Sequence, residues 1–94
     1  MNEKLIEKKL REGVKQRGGI ALKFASPYYT GVPDRIVLMP GGRVSFVELK
    51  STGKKPTPKQ QAVIALLAGL GFRTEVIDSS EQLTDYLKSL DHEI

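Results

Sequence analysis

The feature that most constrains the fold is a pair of apolar segments joined by a short loop of proline and glycine. The first segment covers residues 31–38, the second covers residues 44–50, and the loop between them reads Met-Pro-Gly-Gly-Arg. Proline and glycine supply turn dihedrals, whereas isoleucine, valine, leucine and phenylalanine suit a half-buried strand. The pattern therefore predicts a β-hairpin.

Three charged residues interrupt this predicted hairpin. Side chains alternate across a sheet, so Glu48 and Lys50 must project from one face of their strand. A three-residue loop would pair Met39 with Arg43 and place Asp34 opposite Glu48 on that face, whereas a two-residue loop or a bulge would shift the pairing by one. In the first register the Cβ atoms of the two acids lie about 5 Å apart. Such a cluster predicts a site for a hard cation, because Mg²⁺ takes oxygen ligands. The alternative is that the Glu-x-Lys triplet simply lies on a solvated face of the hairpin.

The other periodic segments predict three helices and two more strands. Residues 2–17, residues 57–70 and a segment ending at residue 90 have helical periodicity, and Thr57-Pro58 is typical of a helix start. Residues 20–24 and 73–77 have the composition of short strands. The predicted order is α-β-β-β-α-β-α. The expected apolar stripes of the three helices are Leu5, Ile6, Leu10 and Val14; Val63, Leu66, Leu67 and Leu70; and Leu83, Tyr86, Leu87 and Leu90.

Length and composition favour one globular domain over residues 1–94. The chain is 39% hydrophobic and 28% charged, as soluble globular proteins are. Its longest apolar run, residues 62–70, is far shorter than the ~20 residues that cross a membrane. The absence of cysteine excludes disulfide, zinc-thiolate and cysteine-nucleophile chemistry and is compatible with the cytoplasm. The only histidine, His92, lies in a tail that we expect to fray, which argues against a histidine ligand or general base.

Charge is distributed unevenly along the chain. Residues 1–59 carry a net charge of +8, and residues 60–94 carry −4. A positive field of this kind attracts phosphate backbones and makes binding dependent on salt. Lys54, Lys55 and Lys59 follow the hairpin closely, so we expect them to contact a nucleic-acid backbone, although lysines also commonly solvate helix faces.

Two tyrosines lie on the loop before the hairpin. Tyr28 and Tyr29 fall within a polar segment, residues 25–30, next to the predicted acidic cluster. Aromatic rings on such a loop can stack on an unpaired base or bond a phosphate. The alternative is that one ring packs against the protein and the other is exposed.

Two glutamates lie one turn apart on the first predicted helix. Glu7 falls at the edge of the apolar stripe, next to Ile6, and Glu3 precedes it by four residues. A glutamate in this position is usually half of a surface ion pair, here with Lys4 or Arg11 across the turn.

These segments resemble the PD-(D/E)XK nuclease superfamily and, within it, the small stand-alone, phage-type members of the virus-type replication-repair nuclease (VRR-NUC) family. Asp34 with Glu48-x-Lys50 carries the superfamily resemblance. The family resemblance is carried by Gly-Val-Pro-Asp-Arg at 31–35, Phe-Val-Glu-Leu-Lys at 46–50, Thr-Pro-Lys-Gln at 57–60 and Leu-Gly-Phe at 70–72. The resemblance covers nearly the whole chain. It implies a single nuclease domain with a restriction-endonuclease-like core, in which helices flank a mixed sheet.

The resemblance also implies an active site that depends on Mg²⁺ or Mn²⁺. Asp34 and Glu48 would bind the ion together with the backbone carbonyl of Leu49. The ion would lower the pKa of bound water and offset charge that develops on the phosphoryl oxygens. Lys50 would orient the attacking water or stabilise that charge.

Further residues would complete this site. Glu7 is the best match to a helix-borne glutamate of the family, binding the ion directly or through water, and Glu3 is its substitute. Gln60 would act from the first turn of the second helix, where the helix dipole favours an anion, and Gln61 is the fallback. Arg35 is expected to contact DNA.

The implied function is an endonuclease that hydrolyses phosphodiester bonds in branched DNA, such as four-way (Holliday) junctions, during replication, repair or phage DNA processing in a bacterial cytoplasm. A restriction-like or flap nuclease is the alternative among enzymes. Outside enzymes, the alternative is a non-catalytic basic DNA-binding module on a nuclease fold. We expect a homodimer, because matched cuts in a two-fold symmetric junction need two sites. The stripe of the first or last helix is a candidate interface, unless both stripes pack on their own sheet.

Overall fold

The chain alternates helices with the strands of one sheet. The structure is a computed structural model and describes residues 2–91, so that His92 lies outside the described residues. The elements are α1 (Glu3–Gln16), β1 (Ile20–Lys23), β2 (Arg35–Met39), β3 (Arg43–Leu49), α2 (Pro58–Gly69), β4 (Arg73–Ile77) and α3 (Ser80–Asp91). The predicted order of elements is therefore confirmed. Between residues 2 and 91 no helix has the length and apolar character needed to cross a membrane.

The four strands form a mixed sheet in the order β1-β2-β3-β4. The first three strands are antiparallel, and β4 pairs with β3 in parallel. Met39 pairs with Arg43, as the three-residue loop predicted. Gly41 and Gly42 make that loop possible, since their φ angles of +84° and +77° lie in the left-handed region, where a glycine carries no steric cost. The same register pairs Arg35 with Val47. The next pair away from the loop is therefore Asp34, just before Arg35, and Glu48, just after Val47.

Helices α1 and α3 cover one face of the sheet and form the main core. Tyr86 of α3 lies in this core and donates a hydrogen bond of 2.9 Å from its hydroxyl to Ser45 Oγ on β3. The predicted stripes of both helices pack on their own sheet, except that Leu5 is 42% exposed. Neither stripe is therefore free to form a dimer interface. The core side chains are Ile6, Leu10, Val14, Ala21, Val37, Met39, Val47, Leu49, Ile77, Leu83, Tyr86 and Leu90.

The opposite face of the sheet, called here the open face, is covered much less. Cross-strand pairing places Ile20 beside Leu38, Leu22 beside Ile36, and Ile36 beside Phe46 on this face. Ile20, Leu22 and Leu38 are exposed. The open face also carries Glu48, because it lies two residues after Phe46 on β3.

Helix α2 packs against β4 but buries little of its own surface. Val63 is buried, whereas Leu66 and Leu70 are 49% and 67% exposed. The prediction that both leucines face the sheet is wrong. Residues 62–70 are apolar on every side of the helix, so periodicity does not define which side faces the sheet.

Candidate active site

Asp34 is held in place by both neighbouring strands. Its backbone carbonyl accepts a hydrogen bond of 2.7 Å from the N–H of Phe24, just beyond β1. Its side-chain Oδ2 accepts one of 2.8 Å from the N–H of Leu49, at the end of β3. These two bonds orient the carboxylate at the end of the hairpin, beside Glu48.

Glu48 is a buried carboxylate without a good hydrogen-bond donor. The residue is 1% exposed, and neither of its carboxylate oxygens has a hydrogen-bond partner among residues 2–91. The Lys50 ammonium lies 3.3 Å from Oε2 as an ion pair. Burial raises the pKa of the Glu48 carboxyl from its ordinary value of 4.5 to about 7; the Asp34 carboxylate also raises this pKa, and Lys50 lowers it. The site thus holds a carboxylate poised to accept a proton or a cation.

A surface pocket opens next to these residues, between α1 and the end of the hairpin. Asp34 and Leu49 line it from the sheet, and Glu7 and Glu3 line it from α1. The family resemblance had implied Asp34, Leu49 and Glu7 around one site, with Glu3 as the substitute for Glu7. Lys4, Lys23 and Arg35 complete the lining.

Glu7 is held over this pocket by two arginines. Arg35 Nη2 lies 2.8 Å from Glu7 Oε1, and Arg11 Nε lies 3.0 Å from the same oxygen. Arg11 is thus one of the two ion-pair partners that the spacing on α1 predicted for Glu7. Arg35, by contrast, belongs to β2. The side chain of Arg35 is only 12% exposed, so its guanidinium is committed mainly to Glu7. Over residues 2–91 no three acidic, histidine or cysteine side chains lie close enough together to hold a metal ion, so Glu7 does not join Asp34 and Glu48 as a third ligand in this arrangement.

The start of α2 packs against Gly31, three residues before Asp34. Gly31, with a φ of +86°, packs so closely that an added Cβ would lie 3.2 Å from the carbonyl oxygen of Lys59. Gln60 forms a capping box: its Oε1 accepts from the N–H of Thr57, and its own N–H donates to Thr57 Oγ1. Gln61 donates instead from Nε2 to the Pro56 carbonyl.

The expected DNA-contacting residues are mostly solvent exposed. Lys54 and Lys55 lie in the loop before α2, and both are exposed. Lys59 lies 5.6 Å from the centre of the Tyr29 ring. Tyr28 is 98% exposed, so no protein surface packs against its ring, whereas Tyr29 is 49% exposed. Of the two tyrosines, Tyr29 is therefore the one that contacts the protein.

Sequence reasoning missed two cations that line the pocket, Lys4 and Lys23. Lys23 lies at the end of β1, directly opposite Arg35. The register of β1 against β2 would have revealed this position. That register is not readable from the sequence, because the connection between the two strands is long and irregular. Lys4 had been considered only as a partner for Glu7.

Comparison with known proteins identifies the family. The model of the VRR-NUC domain matches residues 2–81. The chain belongs to the VRR-NUC family. A phage protein named "Putative nuclease p44", from Acyrthosiphon pisum secondary endosymbiont phage 1, is 48% identical over 81 residues, which are 86% of this chain and 87% of that protein. Membership and this relative together support a nuclease.

Two solved structures have the same fold. One, described as a VRR_NUC domain, matches with a TM-score of 0.85 and 28% identity, covering 98% of this chain and 97% of the other. A second, a VRR_NUC domain protein, has a TM-score of 0.68 at 20% identity, covering 94% of this chain and 86% of the other. The second likeness concerns the fold alone. The VRR-NUC fold expected from the sequence is thus confirmed.

Proposed function

We propose that this VRR-NUC protein is a metal-dependent endonuclease that hydrolyses phosphodiester bonds in branched DNA. The observation that carries the proposal is the pairing of Asp34 with Glu48, a carboxylate that is 1% exposed, has no hydrogen-bond partner within residues 2–91 and has the Lys50 ammonium as an ion-pair partner at 3.3 Å. One ammonium does not balance two carboxylates, and the excess buried charge is costly unless a proton or a further cation neutralises it. A divalent cation bound between the two carboxylates would neutralise their charge and remove this energetic cost.

The residues fit Mg²⁺ or Mn²⁺. Asp34 and Glu48 offer the hard oxygen ligands that these ions prefer, and the Leu49 carbonyl is the expected third ligand. The bound ion would supply a water of lowered pKa and would offset negative charge on the phosphoryl oxygens. Glu7 lines the adjoining pocket and would take part through a water molecule, because its carboxylate is already paired with Arg35.

Lys50 supplies positive charge next to the carboxylates. Its ammonium lies 3.3 Å from Glu48 Oε2, and its side chain is 19% exposed. A protonated amine donates hydrogen bonds and does not coordinate metal. We therefore assign Lys50 to orienting the attacking water or to stabilising charge on the scissile phosphate.

Several features favour DNA, and branched DNA in particular, as the substrate. Lys54, Lys55 and Lys59 are exposed near the start of α2 and suit contacts with a phosphate backbone. The fully exposed Tyr28 ring suits stacking on an unpaired base, which a branch point offers and a regular duplex does not. A four-way junction would also suit the homodimer that we expect, because its two active sites could cut two strands. The phage origin of the 48% identical relative fits action on DNA in a bacterial cytoplasm.

A cleavage assay tests this proposal. The purified protein is incubated with labelled four-way junction, flap, single-stranded and plain duplex DNA in the presence of Mg²⁺, Mn²⁺ or EDTA. We expect fastest cleavage of the junction, and no cleavage in EDTA. The variants Asp34→Asn and Glu48→Gln should abolish cleavage while binding the junction as the wild type does, because the exposed lysines supply the affinity.

Other outcomes of the assay would identify a different function. Preferred cutting of the flap would indicate a flap nuclease, and sequence-dependent cutting of plain duplex would indicate a restriction-like enzyme. Junction binding without cleavage in either metal would indicate a DNA-binding module on a nuclease fold. Near wild-type cleavage by Glu48→Gln would rule out the Asp34 and Glu48 pair as the active site.

A further inference from the structure

Two lysines line the pocket beside the active site without an acid partner. Lys4 lies in the first turn of α1, and Lys23 lies at the end of β1. Helical spacing offered Lys4 as a partner for Glu7, but Glu7 is paired with Arg11 and Arg35 instead. Within residues 2–91 neither Lys4 nor Lys23 forms an ion pair. Both lysines are exposed, so their ammonium groups are available to an anionic ligand.

The two lysines belong to different walls of the pocket. Cross-strand pairing places Lys23 opposite Arg35, on the same face of the sheet. Arg35 contacts Glu7 of α1, so this is the face that α1 covers. Lys4 precedes Glu7 by three residues, and residues at this spacing are neighbours on a helix surface. Among residues 2–91, β1 is an edge strand of the sheet, so no further strand lies beyond Lys23.

The charges of the pocket favour an anion when the active-site ion is bound. Three acidic and three basic side chains line the pocket. Arg35 is paired with Glu7, and Asp34 would bind the ion. The two lysines then face one remaining acid, Glu3, so positive charge is in excess. The pocket volume of about 230 Å³ is smaller than the roughly 300–1,000 Å³ of sites for drug-sized ligands, and it therefore suits one phosphate group rather than a base.

The distance between the lysines and the acidic pair fits two phosphates of one DNA strand. Neighbouring strands of a sheet lie about 4.8 Å apart, so β1 lies roughly 7 Å from the midpoint between Asp34, just before β2, and Glu48 on β3. Backbone charges recur every ~3.4 Å along one strand of DNA. Lys23, with its long and flexible side chain, is therefore placed for a phosphate next to the one at the ion.

We propose that Lys4 and Lys23 form a second phosphate site, which binds the backbone phosphate that flanks the scissile phosphate on one side. The proposal rests on the proposed function and deepens it, because it adds a contact that positions the cleaved strand. Binding two successive phosphates sets the direction of the strand across the ion, and this direction aligns the attacking water with the leaving oxygen. Ammonium groups donate charge-assisted hydrogen bonds to phosphate, and such bonds are stronger than neutral ones.

A scan with neutral phosphate analogues tests this site. Methylphosphonate replaces one charged phosphate at a time in the cleaved strand, at every position around the cut. Cleavage is measured in Mg²⁺, and junction affinity is measured in Ca²⁺, which takes oxygen ligands with looser geometry. For the wild type, methylphosphonate at one position that flanks the cut should lower kcat/KM and the affinity by about ten-fold, as expected when hydrogen bonds to a charged group are lost. In the double variant Lys4→Gln, Lys23→Gln the same replacement should cost less than about two-fold, because the contact is already absent.

Two further variants serve as controls. The double variant Lys9→Gln, Lys15→Gln removes the same charge from exposed positions of α1 outside the pocket, and it should respond to methylphosphonate as the wild type does. Lys23→Arg keeps a cationic donor for phosphate and should also keep this response. Circular dichroism shows whether each variant folds, and Lys23→Gln alone, which should lose part of the response, replaces the double variant if that one does not fold. A full response in the pocket variant, or a lost response in the α1 control, would overturn the second phosphate site.

The outcome for the second phosphate site can be separated from the outcome for the nuclease. A protein that cuts DNA, but in which the losses from methylphosphonate and from the lysine substitutions add at every position, would overturn the phosphate site and leave the nuclease intact. A protein that cuts no DNA would contradict the proposed function. The affinity scan in Ca²⁺ over all phosphates near the branch would then decide the phosphate site by itself, and equal responses of the wild type and the pocket variant would overturn it.

Discussion

Arg35 on β2 reaches across to α1 and holds Glu7, with 2.8 Å between Nη2 and Oε1. The contact joins the helix to the sheet at the mouth of the pocket and fixes the direction of the Glu7 carboxylate. The prediction from sequence was that Arg35 binds DNA. The geometry suggests a positioning role instead, since only 12% of its side chain is exposed.

The two arginines that contact Glu7 allow this role to be tested. Arg35→Gln should lower the cleavage rate by at least about ten-fold while junction affinity stays within about two-fold, because we expect the Arg35 guanidinium to orient Glu7 rather than to bind phosphate. Arg11→Gln removes the more exposed ion pair to the same carboxylate and should leave the rate within about two-fold of wild type. If Arg35→Gln instead weakens DNA binding and flattens its salt dependence, Arg35 is a phosphate-binding residue.

Glu48 should make the metal-free protein less stable at higher pH. Its folded-state pKa of about 7 lies above the ordinary value of 4.5, so the folded state binds this proton more tightly than the unfolded state. Its contribution to stability is full below pH 4.5 and is lost as the pH rises to about 7. The loss is about 3 kcal/mol in total.

Urea unfolding in EDTA between pH 5 and pH 8 measures this effect. Glu48→Gln cannot ionise at this position, so its stability should fall less than that of the wild type over the same range. Titrating groups that do not interact with Glu48 cancel in the difference between the two proteins. Parallel stability curves would contradict the raised pKa.

Lys50 should contribute to the rate of cleavage without holding the ion. Lys50→Ala is expected to slow cleavage by about 10²-fold or more, because it removes charge that stabilises the transition state. Titration of Mn²⁺ by calorimetry should still detect binding to this variant. Loss of binding in Lys50→Ala, with binding retained in Asp34→Asn, would show that the roles are reversed.

Gln60 should have two roles that one substitution separates. Its Oε1 caps α2 by accepting from Thr57, while its Nε2 amide is the donor that we expect to contact the phosphate. Gln60→Glu keeps an acceptor for the capping box and removes the donor. We expect an unchanged melting temperature and cleavage reduced by at least about ten-fold. Unchanged cleavage would leave Gln60 with the capping role alone.

The lysines near the start of α2 should bind the DNA backbone without reading its sequence. Replacing Lys54, Lys55 and Lys59 with glutamine should weaken binding to every substrate. On duplex DNA the log–log salt slope should fall by about 0.9 for each phosphate that the protein no longer neutralises. The matched control is replacement of Lys8 and Lys9 on α1, which are also exposed. An unchanged slope in the triple variant would place these three lysines away from the DNA.

The hairpin was predictable because its geometry is local. Proline and two glycines define a three-residue loop, and the loop determines which residues face each other up to Asp34 and Glu48. The contact between Glu7 and Arg35 was not predictable, because it depends on how a helix packs over a sheet. The exposure of Leu66 and Leu70 was missed for a different reason. A helix that is apolar on all sides has no periodic pattern to show which side faces the sheet and which side faces solvent.

The hydrogen bond from the Leu49 amide to Asp34 Oδ2 makes that amide a natural reporter of the site. Most amides of a strand donate to backbone carbonyls, which do not change charge. The Leu49 amide instead donates to the Asp34 carboxylate, whose electron density changes when it binds a proton or a cation. Its proton resonance should therefore move whenever the carboxylate gains a proton or a cation. A nuclear magnetic resonance titration of ¹⁵N-labelled protein could follow a single backbone signal on β3 and measure site occupancy without DNA or turnover.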